Sequence, residues 1–163
     1  MLLETPRLCL RRFQPEDTAA FAAYRSDPVI ARYQSWTAPL SVESAASLVR
    51  RLAGGEPGQP GWFQYAVELK ADRCLAGDVG VNLHENRMQA EIGFTLAAGR
   101  QGHGYATEAV CALLRDLFER RGLHPRFCRM RCPQPQLGAA PGTGGLPAGG
   151  AAPRFHLDQG RVD

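Results

Sequence analysis

Residues 90–109 read AEIGFTLAAGRQGHGYATEA and carry the clearest structural signals of the chain. The first seven residues, 90–96, are apolar, aromatic or β-branched for the most part, which predicts a strand. A glycine-rich loop follows. From Tyr105 or Ala106, apolar residues recur at helical spacing as far as Arg121, and Gly122 is a C-terminal stop. The predicted succession is a strand, a glycine loop and a long amphipathic helix.

The loop places Gly102 and Gly104 at the mouth of that helix. Backbone N–H groups at a helix start have no intrahelical partners and the helix dipole adds positive charge, so the position suits a phosphate or pyrophosphate. The same glycines are compatible with an ordinary loop cap. A Walker A loop is excluded because the only lysine is Lys70, and a Rossmann loop because Thr107 stands where a third small residue is needed.

The residues before this stretch predict elements of both types. Strands are expected over residues 8–13, 62–69 and 74–83, and helices over residues 15–25 and from the N-cap Ser41 to about residue 52. The turns between the last three strands are too short for a parallel crossover, so these strands should pair antiparallel. The predicted fold class is α+β, with a mixed, mainly antiparallel sheet flanked by helices.

Length and composition indicate one globular domain. The chain has 163 residues, of which 44% are hydrophobic and 21% charged. No apolar run approaches the roughly 20 residues of a membrane helix, and the first residues do not resemble a signal peptide, so we expect a cytoplasmic protein. Five cysteines are an odd number, and the pair Cys128 and Cys132 has no second pair of ligands at finger spacing. We therefore expect neither a disulfide framework nor a metal site.

From residue 124 onwards the composition changes. Residues 1–123 hold 14 basic and 14 acidic side chains, so the formal net charge of +3 lies entirely in residues 124–163. Glycine and proline make up 13 of those 40 residues, and no apolar period is present. The sequence predicts an incomplete core over residues 1–123 whose sheet ends at the strand 90–96, followed by a Gly/Pro/Ala-rich, disordered tail over residues 124–163.

The body resembles the GCN5-related N-acetyltransferases (GNAT), and within them the branch that includes the ribosomal-protein alanine N-acetyltransferases. The coenzyme loop of that family has Gln or Arg, two residues, Gly, one residue, then Gly or Ala, and Gln101, Gly104 and Ala106 match this pattern. The opening residues 4–8, with Leu10 and Arg11, also resemble the start of that branch. The resemblance extends from residue 1 to about residue 123.

This resemblance implies transfer of an acetyl group from acetyl-CoA, as co-substrate, to a primary amine on a protein N-terminus or a small molecule. The pantetheine arm would pair with the strand end at Phe94, Thr95 and Leu96. The amine must be neutral to attack the thioester, so a carboxylate or ordered water must take its proton, while a strand N–H stabilises the oxyanion. Glu91 is the candidate base. The pyrophosphate would lie on the backbone N–H groups of Gln101, Gly102, His103, Gly104, Tyr105 and Ala106.

Each candidate side chain also has a structural interpretation. Glu91 fits a solvent-facing strand start equally well. Glu108 fits the first turn of the helix, where a carboxylate favours the dipole, better than a catalytic role. His103 fits a solvated loop position better than a phosphate contact. Four aromatic residues are candidates for an acceptor groove, although such residues are more often packing residues: Tyr33, Trp36, Trp62 and Tyr65.

The tail departs from the family pattern. Members continue past the helix with a strand, an Asn/Ser segment that contacts the coenzyme and often supplies a tyrosine proton donor, and a final hairpin, and residues 125–163 resemble none of these. The 18 arginines against one lysine indicate a GC-rich gene, and advancing the tail by one base, with synonymous codons left free, gives those segments in order. Our hypothesis is a frameshift near His124, with the C-terminal part of the fold missing and the activity impaired.

Two other functions are compatible with the sequence. A non-catalytic acyl-CoA-binding remnant would keep the loop and lack the chemistry. A nucleic-acid-binding module would use Phe127 with Arg126, Arg129 and Arg131, but the body is neutral and no RNA-binding signature is present. We therefore expect neither a nucleic-acid nor a membrane partner, and the sequence makes no prediction of oligomeric state.

Overall fold

A mixed sheet lies at the centre of the protein, with its strands side by side in chain order. The computed structural model describes residues 2–32, 34 and 36–123, together with the backbone of residues 127–131 and 154–155. The strands are β1 (Leu3–Glu4), β2 (Leu8–Arg11), β3 (Gly61–Leu69), β4 (Leu75–Leu83), β5 (Gln89–Leu96), β6 (Phe127–Arg131) and β7 (Arg154–Phe155). The α-helices of the described residues are α1 (Thr18–Ser26), α2 (Pro28–Ala31), α3 (Val42–Leu52) and α4 (Tyr105–Arg115).

Strands β1 to β5 pair antiparallel, which confirms the prediction made from the short turns between β3, β4 and β5. Val67 of β3 pairs with Gly77 of β4, whereas Glu68 pairs with Leu75, so Ala76 is an extra residue in β4. Such a bulge bends and twists the strand that carries it. From Gly77 onwards, β4 pairs with β5 residue by residue.

Two apolar clusters cover the two faces of the sheet. On one face, buried strand residues such as Tyr65, Val79 and Ile92 pack with α4 residues that include Leu113. On the other face, α1 and α3 pack against Ala66 of β3, their buried residues including Phe21, Tyr24, Ala45 and Val49. Burying one large aliphatic side chain is worth roughly 1.5–3 kcal/mol, so the two clusters fix the helices to opposite faces of the sheet.

The helix signals in the sequence are confirmed, with two additions. Ser41 Oγ accepts a hydrogen bond from the Ser44 N–H at 3.2 Å, as expected of the N-cap of α3. The helix predicted from residue 15 begins as the 3₁₀ turn Pro15–Asp17 and continues as α1. The additions are α2, capped by Asp27, and a π-helical turn, Asp116–Arg120, that continues α4.

The expectation that the sheet ends at the strand 90–96 is wrong. β6 lies beside β5 in parallel, and β7 pairs antiparallel with β6. A parallel neighbour needs a long crossover, and α4 supplies it. β6 was not predicted because its position depends on backbone pairing with the edge of β5, and no local apolar period indicates such pairing. The prediction of a disordered tail concerns residues that lie mostly outside the described part of the chain.

Gly77 and Gly93 form a matched pair for testing the pairing of β4 with β5. A Cβ atom on Gly77 would lie 2.0 Å from the carbonyl oxygen of Thr95, whereas a Cβ atom on Gly93 would have no neighbour within 4 Å. We expect Gly77→Ala to lower the free energy of unfolding by about 3 kcal/mol, and Gly93→Ala to change it by less than about 1 kcal/mol. Denaturant unfolding followed by circular dichroism measures both, and equal stabilities would contradict this pairing.

Candidate active site

The glycine loop turns the chain from β5 into α4. A 3₁₀ turn, Ala98–Arg100, leads from the strand into residues 101–104. Gly102 and Gly104 have φ angles of +77° and +78°, in the left-handed region that glycine adopts without a Cβ penalty. Gly104 is the N-cap residue of α4. The predicted succession of strand, glycine loop and helix is therefore confirmed.

The side chains of Gln101 and His103 stabilise the shape of the glycine loop through contacts with backbone carbonyl oxygens. Gln101 Nε2 donates to the carbonyl oxygen of Leu96 at 3.1 Å, which fastens the loop to the end of β5. The backbone N–H of Gln101 donates to the Ala98 carbonyl oxygen at 3.3 Å, so this N–H is already engaged. His103 Nδ1 lies 2.7 Å from the Gln101 carbonyl oxygen, and the ring stacks on Tyr105 with centroids 5.6 Å apart. The His103 ring thus has a structural place in the loop.

Several backbone N–H groups at the start of α4 have no hydrogen-bond partner among the described residues. Within the described part of the chain, the N–H groups of Gly102, His103 and Gly104 donate to no other residue. The first helical hydrogen bond runs from the Glu108 N–H to the Gly104 carbonyl oxygen at 3.1 Å, so the earlier N–H groups of α4 precede it. Successive N–H groups in a left-handed turn form a concave anion site, and the helix dipole adds to its positive potential.

β5 pairs differently along its two edges. Its ladder with β4 runs from Ala90 to Leu96, whereas its ladder with β6 runs only from Gln89 to Gly93. At this edge the strand therefore continues beyond its described β6 neighbour. Backbone groups at such an edge can pair with an extended ligand, as in β-strand addition.

Glu108 is bound by the segment that joins β1 to β2. Its carboxylate accepts hydrogen bonds from the Thr5 hydroxyl at 2.5 Å, from the Arg7 N–H at 3.0 Å and from Arg7 Nε at 2.6 Å. Partial burial raises the pKa of Glu108, but the hydrogen bonds from Thr5 and Arg7 outweigh that effect and hold the pKa below its ordinary value. These contacts fit the structural interpretation of Glu108.

A buried carboxylate that the sequence analysis missed lies on the opposite face of the sheet from α4. Asp78 of β4 is 1% exposed and accepts hydrogen bonds from the Tyr24 hydroxyl, the Arg25 guanidinium at 3.1 Å and the Gln64 amide. Burial, followed by the charge of Asp78, raises the pKa of Tyr24 well above its ordinary value. A single carboxylate within an otherwise apolar predicted strand was the only sequence signal of this cluster.

The same face of β4 and β5 holds Glu91. The register pairs Asp78 with Thr95, then Gly80 with Gly93, then Asn82 with Glu91, and the alternation of the strands directs all three pairs to one face. Glu91 is half-buried. A Cβ atom on Gly93 would meet nothing within 4 Å, so Gly93 forms the floor of a shallow depression between Glu91 and Thr95. The neighbouring Gly80 is covered by the side chains of Gln64 and Trp62.

The four aromatic candidates have different positions. Tyr65 is fully buried in the cluster that packs with α4, so it does not line a groove, and burial followed by the charge of Asp116 raises its pKa to about 12. Trp36 packs over Arg25 and donates its indole N–H to the Arg25 carbonyl oxygen at 3.0 Å. Trp62 is exposed and pairs with Asn82 at the rim of the depression. Tyr33 lies outside the described residues.

Other binding features are few in the described residues. They contain no group of three His, Cys, Asp or Glu side chains placed to hold a metal ion, and Cys128 and Cys132 fall outside the described side chains. None of their helices has the length and apolar character needed to cross a membrane. A groove of about 770 Å³ lies between β1 and α4, but none of the predicted coenzyme-binding residues lines it.

Two bacterial proteins are similar to this chain in sequence. The uncharacterized N-acetyltransferase YoaA of Bacillus subtilis (strain 168) is 28% identical over 123 residues, which are 75% of this chain and 69% of YoaA. The uncharacterized N-acetyltransferase p20 of Bacillus licheniformis is 32% identical over 114 residues, which are 69% of this chain and 63% of p20. The chain thus spans about two thirds of the length of these relatives.

Solved structures share the fold. An acetyltransferase (GNAT family) from Bacillus anthracis superposes with a TM-score of 0.69 and 23% identity, over 80% of this chain and 72% of that one. The microcin C7 self-immunity acetyltransferase MccE, in complex with acetyl-CoA and AMP, superposes with a TM-score of 0.62 and 17% identity, over 77% of this chain and 69% of MccE. The ribosomal L7/L12 alpha-N-protein acetyltransferase RimL superposes with a TM-score of 0.62 and 21% identity, over 79% of this chain and 69% of RimL.

The family model of the acetyltransferase (GNAT) domain matches residues 7–135. The match includes the glycine loop, α4 and strand β6. With this match over most of its length, the chain belongs to the GNAT family of N-acetyltransferases, enzymes whose acetyl donor is acetyl-CoA.

Proposed function

We propose that this protein acetylates a primary amine, on a protein N-terminus or on a small molecule, with the glycine loop as its coenzyme site. The observation that carries the proposal is the run of N–H groups at Gly102, His103 and Gly104, which have no partner among the described residues and lie between the end of β5 and the start of α4. The structural neighbour RimL is named for an α-amino acceptor on a protein, which supports the first acceptor class.

The coenzyme supplies an acetyl group activated as a thioester. In our proposal the N–H groups of residues 102–106 bind its pyrophosphate, and the backbone of Phe94, Thr95 and Leu96 pairs with its pantetheine arm. The N–H of Gln101 already donates to the Ala98 carbonyl oxygen, so Gln101 would contribute by fastening the loop to Leu96 through its side chain. This arrangement would leave the acetyl group beside the face of β4 and β5 that carries the glycine depression.

The acceptor amine would lie over Gly93. The absence of a side chain there lets a backbone or a small amine approach the sheet closely, whereas Gly80 is covered by Gln64 and Trp62. Glu91, two residues from Gly93 on the same face, is the group we propose to take the proton from the amine. Asp78 is enclosed by Tyr24, Arg25 and Gln64, so it would position the surrounding side chains without receiving that proton.

We also propose that turnover of this chain is impaired. Residues 125–163 contain no tyrosine, so they supply no tyrosine proton donor for the departing thiolate. The Asn/Ser segment implied by the family resemblance has no counterpart there either. Coenzyme binding through the loop does not depend on those groups and should survive.

Gly104→Val tests the coenzyme site. The left-handed φ of Gly104 disfavours a β-branched residue by roughly 1–2 kcal/mol, so the variant should shift the loop and weaken acetyl-CoA affinity at least about tenfold. Gly99→Val is the matched control, since a Cβ atom on Gly99 would meet nothing within 4 Å and its φ lies outside the left-handed region. Calorimetric titration measures both variants, and equal dissociation constants would argue against this site.

Glu91→Gln tests the proposed base. Loss of a general base typically costs at least about 100-fold in rate, so kcat should fall by about that factor while KM for acetyl-CoA changes little. Glu85→Gln, in the exposed turn between β4 and β5, removes a nearby carboxylate outside the depression and serves as the control. A kcat and a pH–rate profile that match those of the control would show that Glu91 does not take the proton.

A version of the protein with the reading frame shifted by one base after His124 tests the impairment. We expect the restored chain to acetylate a panel of N-terminal peptides and small amines faster than the present chain, with acetyl-CoA dissociation constants within about tenfold of each other. Equal turnover and equal melting temperatures of the two chains would contradict this part of the proposal.

A further inference from the structure

We propose that Arg7 is a positioning residue that holds the glycine loop in its binding shape, an inference that rests on the proposed function of that loop. Arg7 lies between β1 and β2, and its partners are 96 and 101 residues away in the chain. Nothing in the loop motif itself requires an arginine at this place. The contact is therefore a property of the fold.

The guanidinium of Arg7 spans the N-cap of α4. Its Nη1 donates to the His103 carbonyl oxygen at 2.9 Å, and its Nε donates to Glu108 Oε2 at 2.6 Å. Between these two acceptors lies Gly104, and a Cβ atom built there would be 3.5 Å from Arg7 Nη2. The guanidinium also lies over the ring of Tyr105, 4.7 Å from its centroid. One planar group thus bridges the loop and the first turn of the helix.

Arg7 is itself held by the sheet. The Leu8 N–H donates to Thr5 Oγ1 at 2.8 Å and the Thr5 N–H to the Leu8 carbonyl oxygen at 3.0 Å, which closes a tight turn around Arg7. The Lys70 N–H donates to the Arg7 carbonyl oxygen at 2.9 Å. Arg7 therefore links the glycine loop to strands β2 and β3 of the sheet.

Such a bridge matters because the loop contains two glycines. Glycine has the largest conformational freedom of any residue, and ordering it at the moment of binding costs affinity. A charge-assisted hydrogen bond to the His103 carbonyl oxygen restricts that freedom before a ligand arrives. Pre-organisation of this kind raises affinity without adding a contact to the ligand.

Arg12 provides a matched control for Arg7. Its guanidinium also joins a carboxylate, Glu56 at 2.8 Å, to the backbone carbonyl oxygen of Gly55 at 2.5 Å. It likewise lies over an aromatic ring, that of Phe63, at 5.3 Å from the centroid. Arg7→Ala and Arg12→Ala therefore remove comparable sets of bonds, and only the first set touches the glycine loop.

The experiment compares the two variants in the full chain by amide hydrogen exchange without coenzyme and by calorimetric titration with acetyl-CoA. In Arg7→Ala we expect exchange of the hydrogen-bonded N–H groups of Gln101 and Glu108, which flank the loop, to quicken at least about fivefold. We expect the dissociation constant to rise about tenfold, the loss expected for one charge-assisted bond. In Arg12→Ala both quantities should stay within about twofold of the parent protein. Equal effects of the two variants would overturn the proposal.

Two further variants keep the result interpretable. Arg7→Lys keeps the charge and the aliphatic stem, so it is less liable to misfold than Arg7→Ala. Its single ammonium group cannot reproduce the paired bonds of the guanidinium to Glu108 and His103. We expect at least about a threefold rise in the dissociation constant. Parental affinity in Arg7→Lys would overturn the positioning role. Gly104→Val separates the two claims: if it loses acetyl-CoA while Arg7→Ala behaves like Arg12→Ala, Arg7 has no positioning role and the site stands. If Gly104→Val keeps full affinity, the proposed coenzyme site itself is wrong.

Discussion

The position of the glycine loop depends on the end of β5. β4 pairs with β5 as far as Leu96, whereas the described residues of β6 reach only Gly93. From this end a short loop leads into α4, which packs on one face of the sheet, while the depression at Gly93 lies on the other face. In the proposed function, the coenzyme loop, the strand edge and the acceptor surface therefore meet at the end of β5.

Two charged networks stabilise this place from opposite sides. Arg7 and Glu108 tie the helix start to the segment between β1 and β2. Asp78 accepts hydrogen bonds from Tyr24 and Arg25 of α1, which hold this helix on the face of the sheet opposite α4. Both networks join residues far apart in sequence. Because charge-assisted hydrogen bonds with defined geometry restrict side-chain rotation, they specify the arrangement as well as stabilising it.

Local signals were sufficient for much of this architecture. The strand before the loop, the left-handed Gly102 and Gly104, and the Ser41 cap all follow from short patterns whose physics lies within a few residues. The Asp27–Pro28 start of α2 carried such a signal too, an N-cap residue before proline, and was missed.

Non-local contacts account for what the sequence analysis did not find. β6 is placed by the edge of β5, and the buried Asp78 cluster by the packing of α1 on the sheet. The inward direction of Tyr65 depends on strand register, which the chain composition does not encode. Glu91 was identified as a candidate, but the residues that surround it are set by the pairing of β4 with β5.

Titration of the ¹⁵N-labelled chain with acetyl-CoA, followed by amide chemical shifts, tests whether the glycine loop binds the coenzyme, because it reports each N–H group separately. We expect the largest shift changes at Gly102, His103 and Gly104, saturating together with a single dissociation constant. Residues of the groove between β1 and α4, such as Leu3 and Cys111, should change little. Larger changes in that groove than in the loop, or an unchanged loop at saturating coenzyme, would contradict the account.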